Sequence, residues 1–181
     1  MEKVLYLEKE KSITFTGHRI IPFIRQEEVR TQLTTVVALA YKSGITCFYC
    51  GMALGFDLMA AEVVLSLKDK FSDIQLIAVV PFSGQSSRWT SSEQERYHRI
   101  LSQANKVVTL SKDYFRGCLL RRNDYMLSHS CSVIAYYDGK PKGGTFYTVR
   151  KAERMKMNVV NIYGIITDSS FDSFVDHLNL W

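Results

Sequence analysis

The chain is 181 residues long, with apolar residues at 46%, charged residues at 23% and a formal charge of +5. These values exclude a disordered or fibrous chain, and against ~100–200 residues per domain the length predicts a single domain over 1–181, able to fold without disulfides or metal. A pI near 9.0 allows an anionic ligand but falls short of a dedicated nucleic-acid binder. The four cysteines, a charged N-terminus without the pattern of a signal peptide, and apolar runs far below the ~18–20 residues of a membrane span predict a cytoplasmic protein with no membrane contact.

Short β-rich runs alternate with longer amphipathic stretches, which predicts an α/β fold: a doubly wound, mostly parallel, Rossmann-like sheet with helices on both faces. Such sheets bind ligands beyond the carboxyl ends of their strands, so the strand-to-helix loops are where a site is sought. The first strand, Ile13 to Thr16, runs into Thr16-Gly17-His18-Arg19, with Pro22 behind it. Glycine lets a ligand approach the backbone and Arg19 can fork onto a phosphate or carboxylate; a plain turn with a solvated arginine is the alternative. This is no GxGxxG fingerprint, and no acidic residue closes the second strand, which argues against NAD-dependent oxidoreduction. A helix over Gln26 to Ser43 follows, with Val29, Leu33, Val36, Val37 and Ala40 facing the sheet and Arg30 and Gln32 facing water.

The second strand, Thr46 to Cys50, carries Cys47 and Cys50, but positions three apart in a strand point to opposite faces, so this CxxC is not read as a redox or zinc pair. Gly51-Met52-Ala53-Leu54-Gly55-Phe56-Asp57 then opens a helix over Phe56 to Lys70. Its two glycines, Gly51 and Gly55, leave room for an anion against unpaired backbone N–H groups; Asp57 either caps the helix or reaches ribose hydroxyls. After the third strand, Ile74 to Val80, come Arg88, placed to meet an anion, and Trp89, placed to stack on a base.

A helix over Ser91 to Gln103, a strand over Lys106 to Leu110 and a helix over Cys118 to His129 follow. The first turns of the last carry Arg121, Arg122, Asn123 and Asp124. Basic residues there oppose the helix dipole, a local cost that points to use, the alternative being solvated arginines paired with Asp124. The fifth strand, Ser132 to Tyr136, ends in Tyr137-Asp138-Gly139-Lys140-Pro141-Lys142-Gly143-Gly144-Thr145. Gly143 and Gly144, the Thr145 hydroxyl and two lysines are what a phosphate requires at a helix start, although the spacing is not that of a Walker A loop and a glycine-rich turn with incidental lysines is the plainer reading. A helix over Thr145 to Met157, a strand over Val159 to Ile162 and a closing helix over Asp168 to Trp181 complete the chain. Of the histidines only His18 falls in a candidate loop. No GxSxG, HExxH or Cys-His arrangement exists, so no catalytic residue and no metal ligand is assigned.

The TGHR of Thr16 to Arg19, the GMALGFD of Gly51 to Asp57, the RND of Arg122 to Asp124 and the Asp138 to Thr145 loop ending in GGT together resemble the YpsA-like family of the SLOG superfamily, the Rossmann-like group of DprA (Smf) and LOG proteins. The resemblance implies a pocket for a small-molecule nucleotide or an ADP-ribose-like ligand, with no required cofactor and with the GGT segment on phosphate. The LOG branch hydrolyses a nucleotide N-glycosidic bond with an arginine and a glutamate; here no glutamate follows the GGT until Glu153, so the enzymatic expectation lacks that group. Asp57, Asp124 and Asp138 are the other carboxylates to consider. The DprA branch implies single-stranded DNA binding as an alternative, and a protein-interaction scaffold or homo-oligomer is a third reading.

Overall fold

A computed structural model describes residues 9–164. Among them strands and helices alternate: β1 (Ser12–Gly17), α1 (Gln26–Lys42), β2 (Cys47–Cys50), α2 (Phe56–Ser66), β3 (Gln75–Val80), α3 (Ser91–Gln103), β4 (Lys106–Thr109), α4 (Cys118–Ser128), β5 (Ser132–Tyr136), α5 (Gly143–Arg154) and β6 (Asn158–Asn161). A 3-10 turn over Phe23–Arg25 leads into α1. The expected closing helix lies outside the described residues. No helix among the described residues is long and apolar enough to cross a membrane.

The strands form one sheet in the order β4-β3-β2-β1-β5-β6, and every neighbouring pair is parallel. Side chains alternate between its faces. In β5, Ile134 and Tyr136 join Phe15, Phe48 and the apolar stripes of α1 and α2, whereas Val133 and Ala135 join Leu127 of α4 and Val149 and Ala152 of α5. In β3, Leu76, Ala78 and Val80 share the first core, while Ile77 and Val79 meet Met126 of α4. Both faces are therefore covered, which is why the central strands read as nearly continuous apolar runs. The edge strands differ: Lys106, Val107 and Thr109 of β4 and Asn158 and Asn161 of β6 are exposed.

In α1 the five expected apolar residues are buried, but Gln32 is buried with them, contrary to the expectation that it faces water. Gln32 stands one turn from Val36, at the border of the apolar stripe, and its amide donates to Glu28 Oε1 at 3.3 Å. Arg30 is half-buried and pairs with Glu62 of α2 at 3.0 Å; Arg96 of α3 grips the same carboxylate at 2.6 Å and 2.8 Å. Burial opposes ionisation of Glu62, yet the two guanidinium groups outweigh it and hold its carboxyl below the usual range. This clamp fixes three neighbouring helices to one another. Cys50 is buried and donates to the Asp57 carbonyl at 3.1 Å, and burial pushes its thiol well up, while Cys47 is only half-buried; the pair shares no face.

Element limits shift by a few residues. α2 stops at Ser66, before the expected Lys70, because the chain tightens there into turns with Lys68 N–H on Leu65 O and Lys70 N–H on Leu67 O. α5 starts at Gly143, two residues ahead of Thr145, so both glycines lie in its first turn. The chain runs from β1 outward to β4, then returns to lay β5 on the other side of β1. The loops after β1 and β5 therefore part in opposite directions and leave a crevice at the strand ends.

Candidate functional site

That crevice is a cavity of about 520 Å³, walled by the end of β1, the start of α2, the loop before α4 with its first turns, and the N-terminus of α5. None of the three helices that open onto it has a side-chain cap: the N-cap residues are Gly55, Gly117 and Lys142. Loop carbonyls take some of the first N–H groups at α2 and α4, with Phe56 N–H on His18 O, Leu58 N–H on Ala53 O and Cys118 N–H on Phe115 O, so the α5 end, where Gly143, Gly144 and Thr145 line the cavity, is the one that most favours an anion. α3, whose start lies outside the cavity wall, shows the contrast: Thr90 and Glu93 form a full capping box, with Glu93 N–H on Thr90 Oγ1 at 3.4 Å and Thr90 N–H on Glu93 Oε2 at 3.2 Å.

Buried polar side chains gather at the same place. Thr16, Asp57, Arg122, Asn123 and Thr145 are each at most 9% exposed, and all five line the cavity. Arg122 donates through Nη1 to the Gly51 carbonyl and through Nε to Asn123 Oδ1 at 2.8 Å. Gly51 is needed for that approach, since a Cβ there would stand 2.4 Å from Arg122 Nη1. Asp57 is the second residue of α2 rather than its cap, and its Oδ2 accepts from Ala53 N–H at 3.3 Å, closing the loop before the helix. Burial raises its carboxyl from 3.8 to about 6, against the opposing pull of Arg122, the Ala53 N–H and Arg19.

The sign of this shift yields a stability prediction. A folded-state value of about 6 above the unfolded 3.8 means that the native state holds the proton more tightly. Stability therefore falls as pH rises from about 4 to about 6 and stays lower above, by up to about 3 kcal/mol at 1.36 kcal/mol per pH unit. Asp57→Asn, which keeps an acceptor for Ala53, is expected to raise stability by that order at pH 7.5 and to change it little at pH 4. Urea melts at the two pH values measure it; equal effects at both would contradict the assignment.

The structure brings together Thr16, Gly17, His18, Arg19, Asp57, Arg122, Gly143, Gly144 and Thr145 around the cavity. Gly51 lies behind Arg122, and Gly55 behind Arg19. Asp138 stands just outside the wall, where it positions His18: its N–H donates to His18 Nε2 at 3.0 Å and its Oδ1 lies 3.0 Å from the same nitrogen. The Lys140 N–H holds the Asp138 carboxyl below its usual range, with further help from the Lys140 ammonium. Asp124 is elsewhere. It faces away from the cavity and takes Lys151 Nζ at 2.7 Å and Tyr147 OH at 2.9 Å, so the reading of Asp124 as partner of the neighbouring arginines is corrected: a longer reach from α5 meets it first. Arg88 is exposed, and Trp89 is half-buried edge-on to Tyr97. Glu153, the first glutamate after the GGT segment, is paired with Arg150 at 2.9 Å on the last turns of α5, remote from the glycines. Tyr114 and Asn123 also line the cavity. Tyr114 belongs to the loop after β4, which the same strand-end rule would have nominated, and Asn123 follows directly from Arg122 as its hydrogen-bond partner.

Comparison with known proteins agrees with this architecture. The YpsA model of the SLOG family matches residues 14–169. A UPF0398 protein of Halalkalibacterium halodurans is 30% identical over 151 residues, covering 82% of this chain and 77% of its own. A UPF0398 protein of Bacillus cereus strain B4264 is 31% identical over 151 residues, covering 82% and 79%. Among solved structures, DNA processing protein A of Helicobacter pylori, described for its single-stranded DNA binding mode, superposes with a TM-score of 0.61 at 18% identity, covering 96% of this chain and 74% of that one. The last likeness is one of fold. With the family model spanning β1 to β6, the chain belongs to the YpsA family of SLOG proteins.

Proposed function

We propose that the cavity binds a nucleotide or a related phosphorylated ribose compound. The observation that carries this reading is the gathering of five buried polar side chains, a guanidinium among them, against three uncapped helix starts. Buried polar groups cost free energy unless they are satisfied, and Arg122 retains donor capacity beyond its bonds to Gly51 and Asn123. A cavity of about 520 Å³ falls within the ~300–1,000 Å³ usual for small-ligand sites. In this reading the phosphate sits on the Gly143 and Gly144 amides and the Thr145 hydroxyl, Lys142, Arg19 and Arg122 balance its charge, and Asp57 faces the ribose hydroxyls.

The test is Gly144→Asp. A Cβ at Gly144 meets only Asn123 Nδ2, at 3.7 Å, and an acidic side chain in the first turn of a helix is favourable by about 0.3–1 kcal/mol, so the fold is kept. The same carboxylate occupies the phosphate position. AMP, ADP-ribose and ribose 5-phosphate are expected to raise the melting temperature of the wild-type chain, a ligand at 100 times its Kd adding about 2.7 kcal/mol. Titration of Gly144→Asp is expected to show at least about a hundredfold weaker binding, from one like charge set into a low-dielectric site. Wild-type affinity in the variant would overturn the phosphate assignment.

One observation favours single-stranded DNA as a second reading. Tyr114 and Phe115 are exposed in the loop at the cavity mouth, and the Arg121 guanidinium lies 5.8 Å from the Phe115 ring centre, a stacking surface beside a cation on a fold shared with the Helicobacter protein. A thermal response to a short oligonucleotide alone, with a log–log salt slope of about −0.7 per phosphate contact, would select it.

A further inference from the structure

The segment between β1 and α1 presents an apolar surface. Ile20, Phe23 and Ile24 are 81%, 89% and 89% exposed, three large apolar side chains close together in the chain, whereas Ile21 between them is buried. Single exposed apolar side chains are ordinary on a protein surface, but a cluster of them marks a contact surface. Two donors beside it are also unmet. Arg25 ends the 3-10 turn that carries Phe23 and Ile24; its Nε reaches Glu28 at 3.4 Å, but its Nη2 is buried with no hydrogen-bond partner among the described residues. The buried Tyr136 hydroxyl likewise has none among them, and the Arg25 guanidinium lies 6.0 Å from the Tyr136 ring centre. Buried polar groups almost always have a partner, so an acceptor is expected here.

We propose that this surface is the docking site of the chain's own C-terminal segment, residues 168–181, which sets Phe171, Phe174, Val175 and Leu178 on Ile20, Phe23 and Ile24 and brings an aspartate to Arg25. The inference is independent of any ligand in the cavity. Three observations name this segment as the occupant. The first is position. The Tyr163 ring, just after β6, is 5.4 Å from the Arg25 guanidinium, 4.8 Å from the Tyr136 ring and 6.1 Å from the His18 ring, so the chain arrives at Gly164 beside the apolar cluster. Asp168 follows four residues later, within ~14 Å even when the chain is fully extended.

The second observation is pattern. Phe171, Phe174, Val175, Leu178 and Trp181 recur at spacings of three and four, which puts them on one stripe of a helix. A helix this short is marginal in water, so such a stripe needs a surface to lie on. The third is charge. Asp168, Asp172 and Asp176, four apart, run alongside the stripe, and residues 165–181 hold no lysine or arginine in a chain of formal charge +5. The short tether also favours the chain's own segment over that of a second copy, because it sets an effective concentration in the millimolar range.

The test exposes the full chain to chymotrypsin, which cuts after phenylalanine, and follows cleavage after Phe171 and Phe174 by mass. Phe23→Glu is the surface variant, since a charge at so exposed a position leaves the described fold intact. Cleavage is expected to be at least about tenfold faster in Phe23→Glu than in the wild-type chain, and about threefold faster in Arg25→Gln. Thermal melts give a second readout. Phe23→Ser and Phe174→Ser are each expected to lower the melting temperature, and the double variant to fall no further than the lower single variant, because both remove one contact. Equal cleavage rates in wild type and Phe23→Glu would overturn the docking, and additive melting shifts would overturn the contact between the two phenylalanines. Protection that fades on dilution from about 100 μM to about 1 μM, with a doubled mass in solution, would give the surface to a second copy and overturn the intramolecular assignment.

Discussion

Replacing Arg122 with methionine is expected to cost about 4 kcal/mol of folding stability and to abolish binding of phosphorylated ligands. The side chain is 5% exposed, so methionine fills most of its volume, but the charge and two hydrogen bonds disappear. Asn123 Oδ1 loses its donor, worth about 1–3 kcal/mol when left unpaired in a buried place, while the Gly51 carbonyl keeps only the Gln85 amide. Asp57 also loses the cation that opposes its upward shift, so its carboxyl rises further above 6. The loss should therefore depend on pH, larger at pH 8 than at pH 5, where Asp57 takes up its proton. Adding Asp57→Asn to Arg122→Met should recover part of the loss at pH 8. Denaturant melts of the two single variants and the double variant measure the coupling. A loss that is the same at both pH values, with no recovery in the double variant, would reduce Arg122 to packing.

Gly55→Ala is expected to cost a similar amount, of order 4 kcal/mol, for a different reason. Gly55 has φ 80° and ψ −118°, a conformation closed to residues with a side chain, and a Cβ there would stand 2.2 Å from the Arg19 carbonyl oxygen. Backbone cannot step aside as a side chain can. The two loops are already tied there, with Phe56 N–H on the His18 carbonyl at 3.1 Å, so the clash pushes Arg19 and His18 off the cavity. Gly44→Ala is the control, because Gly44 also has a positive φ, 101°, but nothing lies within 4 Å of its would-be Cβ. It should lose only about 1 kcal/mol. Equal losses at the two positions would mean that the close approach of the loops is unimportant.

Much of the fold was legible because parallel strands buried on both faces and amphipathic helices each leave a periodic trace. All six strands and the five helices between them fall where the apolar runs of Phe15, Phe48, Leu76 and Ile134 and the stripe from Val29 to Ala40 put them. The ends were less legible. Nothing in Leu67 to Lys70 announces the tight turns that stop α2, and the glycines of α5 read as loop although they form its first turn. Around the site, short-range grammar located the loops, but the partners of each side chain depend on distant elements. Asp124 meets Lys151 because α5 packs on α4, and Asp57 is buried under Arg122 because β2 and α4 meet at the cavity; neither pairing is written in neighbouring residues. Gln32 was misplaced for the same reason, since the width of a buried stripe depends on what packs against it.

The placement of β5 beside β1 also sets how late in synthesis the cavity can be completed. The two walls of the cavity come from segments far apart in the chain: His18 and Asp138, which touch, are 120 positions apart. A ribosome adding ~5–20 residues per second needs roughly ten seconds to travel that distance. During that interval β1 to β4 are already available to pair, yet the flank of β1 that faces the cavity has no neighbour. The site proposed above is complete only once α5 has been made, so a ligand bound there would have no hold on the early half of folding and would secure the last steps alone.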